Sequence, residues 1–149
     1  MNPIAKFKPI LLAEDDPLDA ELTLRTLRSL SLFNNIIHVT DGQAVIDYLN
    51  GTGDYEGKTT EIPALIILDL KMPKVSGIDV VKLLKSDPRK KHIPLVMLTS
   101  SQELRDVVDS YGAGLNSYVV KPVDMHQFQQ VITSLGLYWA VVNKPVDLD

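Results

Sequence analysis

Five short apolar runs constrain this chain more than anything else in it. They are Ile10-Leu11-Leu12-Ala13, Ile36-Ile37-His38-Val39, Ala64-Leu65-Ile66-Ile67-Leu68, Ile93-Pro94-Leu95-Val96-Met97-Leu98 and Tyr118-Val119-Val120. A strand with one wet face alternates polar and apolar residues, whereas several of these runs are apolar at consecutive positions. That pattern predicts strands covered on both faces, as in a parallel sheet.

Amphipathic segments with helix start signals fill the intervals. Asp16 precedes Pro17, an N-cap followed by a favourable first residue, and Leu18, Leu22, Leu27 and Leu30 then recur at helical spacing. Asp41 is placed to cap a second helix carrying Ala44, Val45, Tyr48 and Leu49. A third helix follows Gly77, with Val80, Val81, Leu83 and Leu84 before the stop at Asp87-Pro88. Ser100 and Glu103 fit a capping box before Leu104, Val107, Val108 and Tyr111. Asp124 can cap the last helix, through Phe128, Val131, Ile132 and Leu135. Five strand–helix repeats in 149 residues predict one α/β domain, (βα)5, with a five-stranded doubly wound parallel sheet and helices on both faces. The polar stretch from Gly51 to Glu61 reads as a surface loop. Its Gly51, Gly53 and Gly57 follow a helix rather than a strand, so they do not form a dinucleotide fingerprint.

In such a sheet the site forms outside the carboxyl ends of the strands. The first strand ends in Glu14-Asp15-Asp16, the third in Asp69, the fourth in Thr99-Ser100 and the fifth in Lys121-Pro122. Carboxylates, a hydroxyl and an ammonium are thereby predicted to meet on one edge. Crowded carboxylates repel one another, which raises some of their pKa values or draws in a cation. A donor set of oxygens without histidine or cysteine suits Mg2+ more than zinc. Mg2+ takes few protein ligands and leaves positions for phosphoryl oxygens, with Lys121 and Thr99 as further contacts. The set suits phosphoryl transfer, with Asp69 as the natural acceptor. Taken singly, Asp16 is a helix cap, Asp69 a turn residue and Lys121 a solvated charge; their joint placement at strand ends is what points to chemistry.

Composition removes other classes. The chain has no cysteine, so disulfides and thiolate metal sites are excluded. A net charge of −4 offers no electrostatic reason to bind nucleic acid, and Arg89-Lys90-Lys91 reads as a solvated loop. The longest apolar run, Leu137 to Val142, is far short of the roughly 20 residues that span a bilayer. The N-terminus lacks a signal-peptide pattern, so a cytoplasmic location without membrane contact is expected. His38, His92 and His126 lie on separate elements without metal-ligand spacing.

The segment Ile10-Leu11-Leu12-Ala13-Glu14-Asp15-Asp16-Pro17 resembles the opening of the receiver domain of two-component response regulators. Leu65-Ile66-Ile67-Leu68-Asp69-Leu70-Lys71-Met72-Pro73 with Ser76-Gly77 is similar to that family's phosphoacceptor segment. Pro94 to Ser100 and Tyr118 to Pro122 complete four ordered motifs, covering about residues 8–135. The resemblance implies a flavodoxin-like receiver that takes a phosphoryl group from a sensor histidine kinase onto Asp69. It implies Mg2+ held by Asp15, Asp69 and the backbone carbonyl of Lys71, with Glu14 acting through water. Thr99 and Lys121 would contact the phosphoryl oxygens, the Lys121–Pro122 bond would be cis, and Thr99 with Tyr118 would form the conformational switch. Such a protein signals rather than performs metabolic catalysis.

Lys71 places a long cationic side chain two residues after the acceptor, where a phosphatase of the aspartyl-phosphate type would need an acid. A phosphate-independent interaction module is the other rival, and the full acidic set argues against it. The chain runs 14 residues beyond Leu135, and an output by protein contact rather than through a DNA-binding module is expected. The extension 136–149 carries Leu137, Tyr138 and Trp139, an apolar cluster suited to a homodimer or partner contact. With the loop at 51–61, it resembles the stand-alone receivers paired with phytochrome-type light-sensing kinases.

Overall fold

A computed structural model of the chain describes residues 8–29, 35–70, 72–100 and 117–134. Its strands are β1 (Ile10–Ala13), β2 (Ile36–Val39), β3 (Leu65–Asp69), β4 (Leu95–Thr99) and β5 (Ser117–Val120). Its helices are α1 (Pro17–Ser29), α2 (Gly42–Asn50), α3 (Gly77–Ser86) and α4 (Met125–Ser134). The strands form one sheet in the order β2-β1-β3-β4-β5, and every pairing is parallel.

Consecutive apolar residues are buried because each strand divides them between two cores. Leu11, Ala13, Ile66, Leu68, Leu95 and Met97 face Val45 and Tyr48 of α2 and Val80, Val81 and Leu84 of α3. Their neighbours Ile10, Leu12, Leu65, Ile67, Val96, Leu98 and Val119 face Leu27 of α1 and Phe128, Val131 and Ile132 of α4. This is the period-two geometry of a strand with protein on both sides. Each Leu or Ile sealed this way contributes about 1.5–3 kcal/mol relative to exposure.

Side-chain caps start the helices at Asp16, Asp41 and Asp124, as expected, and also at Ser76, which was not singled out from the sequence. Asp16 Oδ1 accepts hydrogen bonds from the amides of Leu18 (2.9 Å) and Asp19 (3.0 Å), and Asp41 Oδ1 from Ala44 (2.7 Å). Ser76 Oγ accepts from Asp79 N and Asp124 Oδ1 from Gln127 N. The fourth strand starts at Leu95 rather than Ile93, because Pro94 has no N–H for the ladder. Ile93 instead packs into the α2–α3 core. The third strand runs one residue later than expected, from Leu65 rather than Ala64 and through Asp69.

The polar stretch after α2 is tied down. Tyr48 Oη donates to Glu61 O (2.8 Å), Thr60 Oγ1 donates to Tyr48 O (3.0 Å), and Tyr48 and Tyr55 meet edge to face at 5.2 Å. Leu30, Leu135 and the predicted helix from Glu103 through Leu104, Val107, Val108 and Tyr111 lie outside the described residues. So do Lys71 and the extension with Leu137, Tyr138 and Trp139.

Candidate functional site

Strand order dictates where the site lies. β1 and β3 are neighbours, but α1 packs on one face of the sheet and α3 on the other. The loops leaving these strands therefore diverge and leave a crevice at their carboxyl ends. Glu14 continues the ladder beyond β1, its amide donating to Val39 O at 3.0 Å. Asp69 closes β3, and the amide of Leu70 after it donates to Leu98 O at 3.0 Å. Gly77 opens α3 directly beneath this turn: its amide donates to Leu70 O at 2.9 Å, and a Cβ there would collide with the carbonyl oxygen of Asp69.

Glu14, Asp15 and Asp69 converge, with one carboxylate oxygen of each lying within 4.8 Å of the others. Glu14 is fully buried and Asp69 is 6% exposed, while Asp15 faces solvent. Lys121 enters from β5, where its amide donates to Thr99 O at 2.7 Å and its bond to Pro122 is cis. Its Nζ lies 2.8 Å from Glu14 Oε1, 3.1 Å from Asp69 Oδ1 and 3.1 Å from Asp19 Oδ2. The Glu14 contact is an ion pair outside hydrogen-bonding angles, leaving Oε1 buried with no hydrogen-bond partner.

The electrostatics follow from this crowding. Burial, then the hydrogen bond and negative charge of Asp69, push the Glu14 carboxyl up from 4.5 to about 8, against the opposing pull of Lys121. Burial alone would lower Lys121, but the close contact with Glu14 and the charges of Asp69 and Glu14 outweigh it and raise its pKa. Buried carboxylates crowded together in this way favour a cation placed among them. The orphaned Glu14 oxygen and the all-oxygen donor set fit a hard divalent ion such as Mg2+.

Thr99 ends β4 fully buried, with its hydroxyl donating to Ser100 O at 3.0 Å. Tyr118 pairs in register with Met97, two residues before Thr99, so the Tyr118 and Thr99 side chains project from the same face of the sheet. Tyr118 is 37% exposed. Asp16 is a helix cap and does not join the acid group. Two residues at this edge are not apparent from the strand ends. Asp19 reaches Lys121 because helical side chains point back toward the N-terminus, and His38 Nε2 lies 2.9 Å from Glu14 O.

The response regulator receiver domain family matches residues 10–133. The structure is similar to the bacteriophytochrome response regulator RtBRR, with a TM-score of 0.84 and 51% identity over 95% of this chain and 85% of that one. It is also similar to the bacteriophytochrome response regulator AtBRR, with a TM-score of 0.84 and 46% identity over 94% of this chain and 100% of that one. Response regulator Rcp1 of Synechocystis is 33% identical over 89% of this chain and 88% of its own. The Mn(2+)-bound form of Rcp1 superimposes with a TM-score of 0.72 over 95% of this chain and 99% of that one.

Proposed function

This chain belongs to the response regulator receiver family, and on that footing we propose that it is a stand-alone phosphorylation switch whose acceptor is Asp69. The observation that carries the proposal is one carboxylate, 6% exposed, at the end of β3, with an ammonium 3.1 Å away and two further acids gathered beside it. The donor is a phosphohistidine of a sensor histidine kinase. An Asp69 oxygen attacks phosphorus, the new P–O bond forms as the P–N bond breaks, and the bonding pair leaves with the imidazole nitrogen. Lys121 offers positive charge to the phosphoryl oxygens, and Thr99 turns its hydroxyl from Ser100 O toward them. Water later attacks phosphorus, releasing phosphate and restoring the carboxylate.

Glu14, Asp15 and Asp69, with the Lys71 carbonyl, would hold Mg2+. When bound, the ion neutralises the acids and screens the incoming phosphoryl charge. Movement of Thr99 vacates space on the face it shares with Tyr118, and that ring then turns inward. A shift of this kind needs only a few kcal/mol of differential stabilisation. The likeness to bacteriophytochrome response regulators supports a phytochrome-type kinase as the donor. Residues 1–149 act as one receiver domain, with Leu137, Tyr138 and Trp139 of the extension contacting a second copy.

Incubation with acetyl phosphate and Mg2+, followed by intact-mass measurement, tests the proposal. One phosphoryl group should be added to the wild type and none to Asp69→Ala. Equal labelling of the two proteins would overturn it.

A further inference from the structure

Three carboxylates surround the Lys121 ammonium, and one of them has no part in the acid group. Glu14 and Asp69 supply oxygens to that group, whereas Asp19 does not belong to it. Asp19 Oδ2 accepts a hydrogen bond from Lys121 Nζ at 3.1 Å, and its side chain is 35% exposed. Its place is fixed by the first turn of α1, where its amide is bound to Asp16 Oδ1 at 3.0 Å. The contact joins residues 102 apart in sequence, tying the start of α1 to the loop after β5.

We propose that Asp19 is a positioning residue for Lys121, accepting a hydrogen bond from one of its N–H groups so that the ammonium stays beside the acceptor oxygen, 3.1 Å from Asp69 Oδ1. The inference rests on the reading of Asp69 as phosphoacceptor. Once Glu14 and Asp69 turn their oxygens to a cation, Asp19 is the one of the three carboxylates that can keep the ammonium at the mouth of the pocket. A lysine stem is long and flexible, and without that hold the ammonium swings toward water. The proposal is separable from a plain charge effect. A carboxylate near the pocket repels an anionic phosphodonor, so loss of its charge alone would speed phosphorylation. Loss of an anchor slows it.

The experiment compares phosphorylation rates with acetyl phosphate and Mg2+ in wild type, Asp19→Asn, Asp19→Glu, Lys121→Met and the Asp19→Asn/Lys121→Met double variant. Asp19→Asn should be about fivefold slower, in keeping with a partly exposed charged hydrogen bond. Asp19→Glu should recover much of the loss, and Asp19→Asn should cost nothing further once Lys121 is methionine. In parallel, exchange of the Lys121 ammonium protons, followed by 15N-detected NMR without phosphodonor or metal, should be faster in Asp19→Asn than in wild type. A rate for Asp19→Asn equal to or above wild type, the same loss in the Lys121→Met background, or unchanged exchange would each overturn the inference. Failure of the wild type itself to take up a phosphoryl group would instead overturn the phosphoacceptor reading, and the exchange measurement would still decide the role of Asp19.

Discussion

Glu14→Gln separates the charge of the buried acid from its shape. In protein stripped of divalent cations, burial and Asp69 hold this carboxyl at about 8 in place of 4.5. A folded-state value above the unfolded one means that the native state keeps a proton which the unfolded chain releases. The stability so conferred is complete below pH 4.5 and drains away as pH rises toward 8. At about 1.4 kcal/mol for each pH unit in that interval, the ceiling is about 5 kcal/mol. The side chain is sealed from solvent, but it sits at an open sheet edge beside an ammonium 2.8 Å away, and both water and lysine reduce the effect. We expect a loss of about 2 kcal/mol between pH 5 and pH 8, or about 4–8 °C in the melting midpoint. Glu14→Gln has no proton to give up and should lack this slope. Urea unfolding followed by circular dichroism in EDTA, at intervals from pH 5 to pH 8, reads the difference. Millimolar Mg2+ should flatten or reverse the wild-type slope, because a bound cation favours the ionised acid. Parallel pH profiles for wild type and Glu14→Gln in EDTA would refute the reasoning.

Three further outcomes follow from packing. Gly77→Ala forces a methyl against the Asp69 carbonyl, so it should lower stability by about 1–3 kcal/mol in urea and reduce phosphoryl uptake from acetyl phosphate. Phe128→Ala empties the centre of the α1–α4 core, where the ring is fully buried, and should cost about 3–5 kcal/mol by the same assay. Asp41→Ala removes the 2.7 Å cap of α2 together with an ion pair to the exposed Lys74, and should cost about 1 kcal/mol with little effect on phosphoryl uptake.

The elements were legible because their signals are local. Doubly covered strands declare themselves by unbroken apolar runs, and Asp16, Asp41 and Asp124 mark helix starts by side-chain chemistry alone. The strand order came only with the resemblance to a flavodoxin-like receiver and not from periodicity, since which strand lies beside β1 depends on packing between segments far apart in the chain. Glu14, Asp15, Asp69 and Lys121 could be read as converging because a parallel sheet brings all its carboxyl ends to one edge. Asp19 and His38 escaped that logic. Asp19 sits inside a helix and reaches back, and His38 meets a backbone carbonyl that carries no sequence identity.

The clasp over Tyr48 gives the 51–61 excursion an engineering use. It connects the end of α2 to the start of β3, so it stands at the opposite pole of the sheet from the acid cluster, stapled by Tyr48, Tyr55 and Thr60. A dye or affinity handle attached at the exposed Lys58 would ride rigidly with the body of the domain while leaving the chemistry untouched. Fluorescence anisotropy from that position would then report the size of whatever assembly the protein joins, free of the motions of its own site.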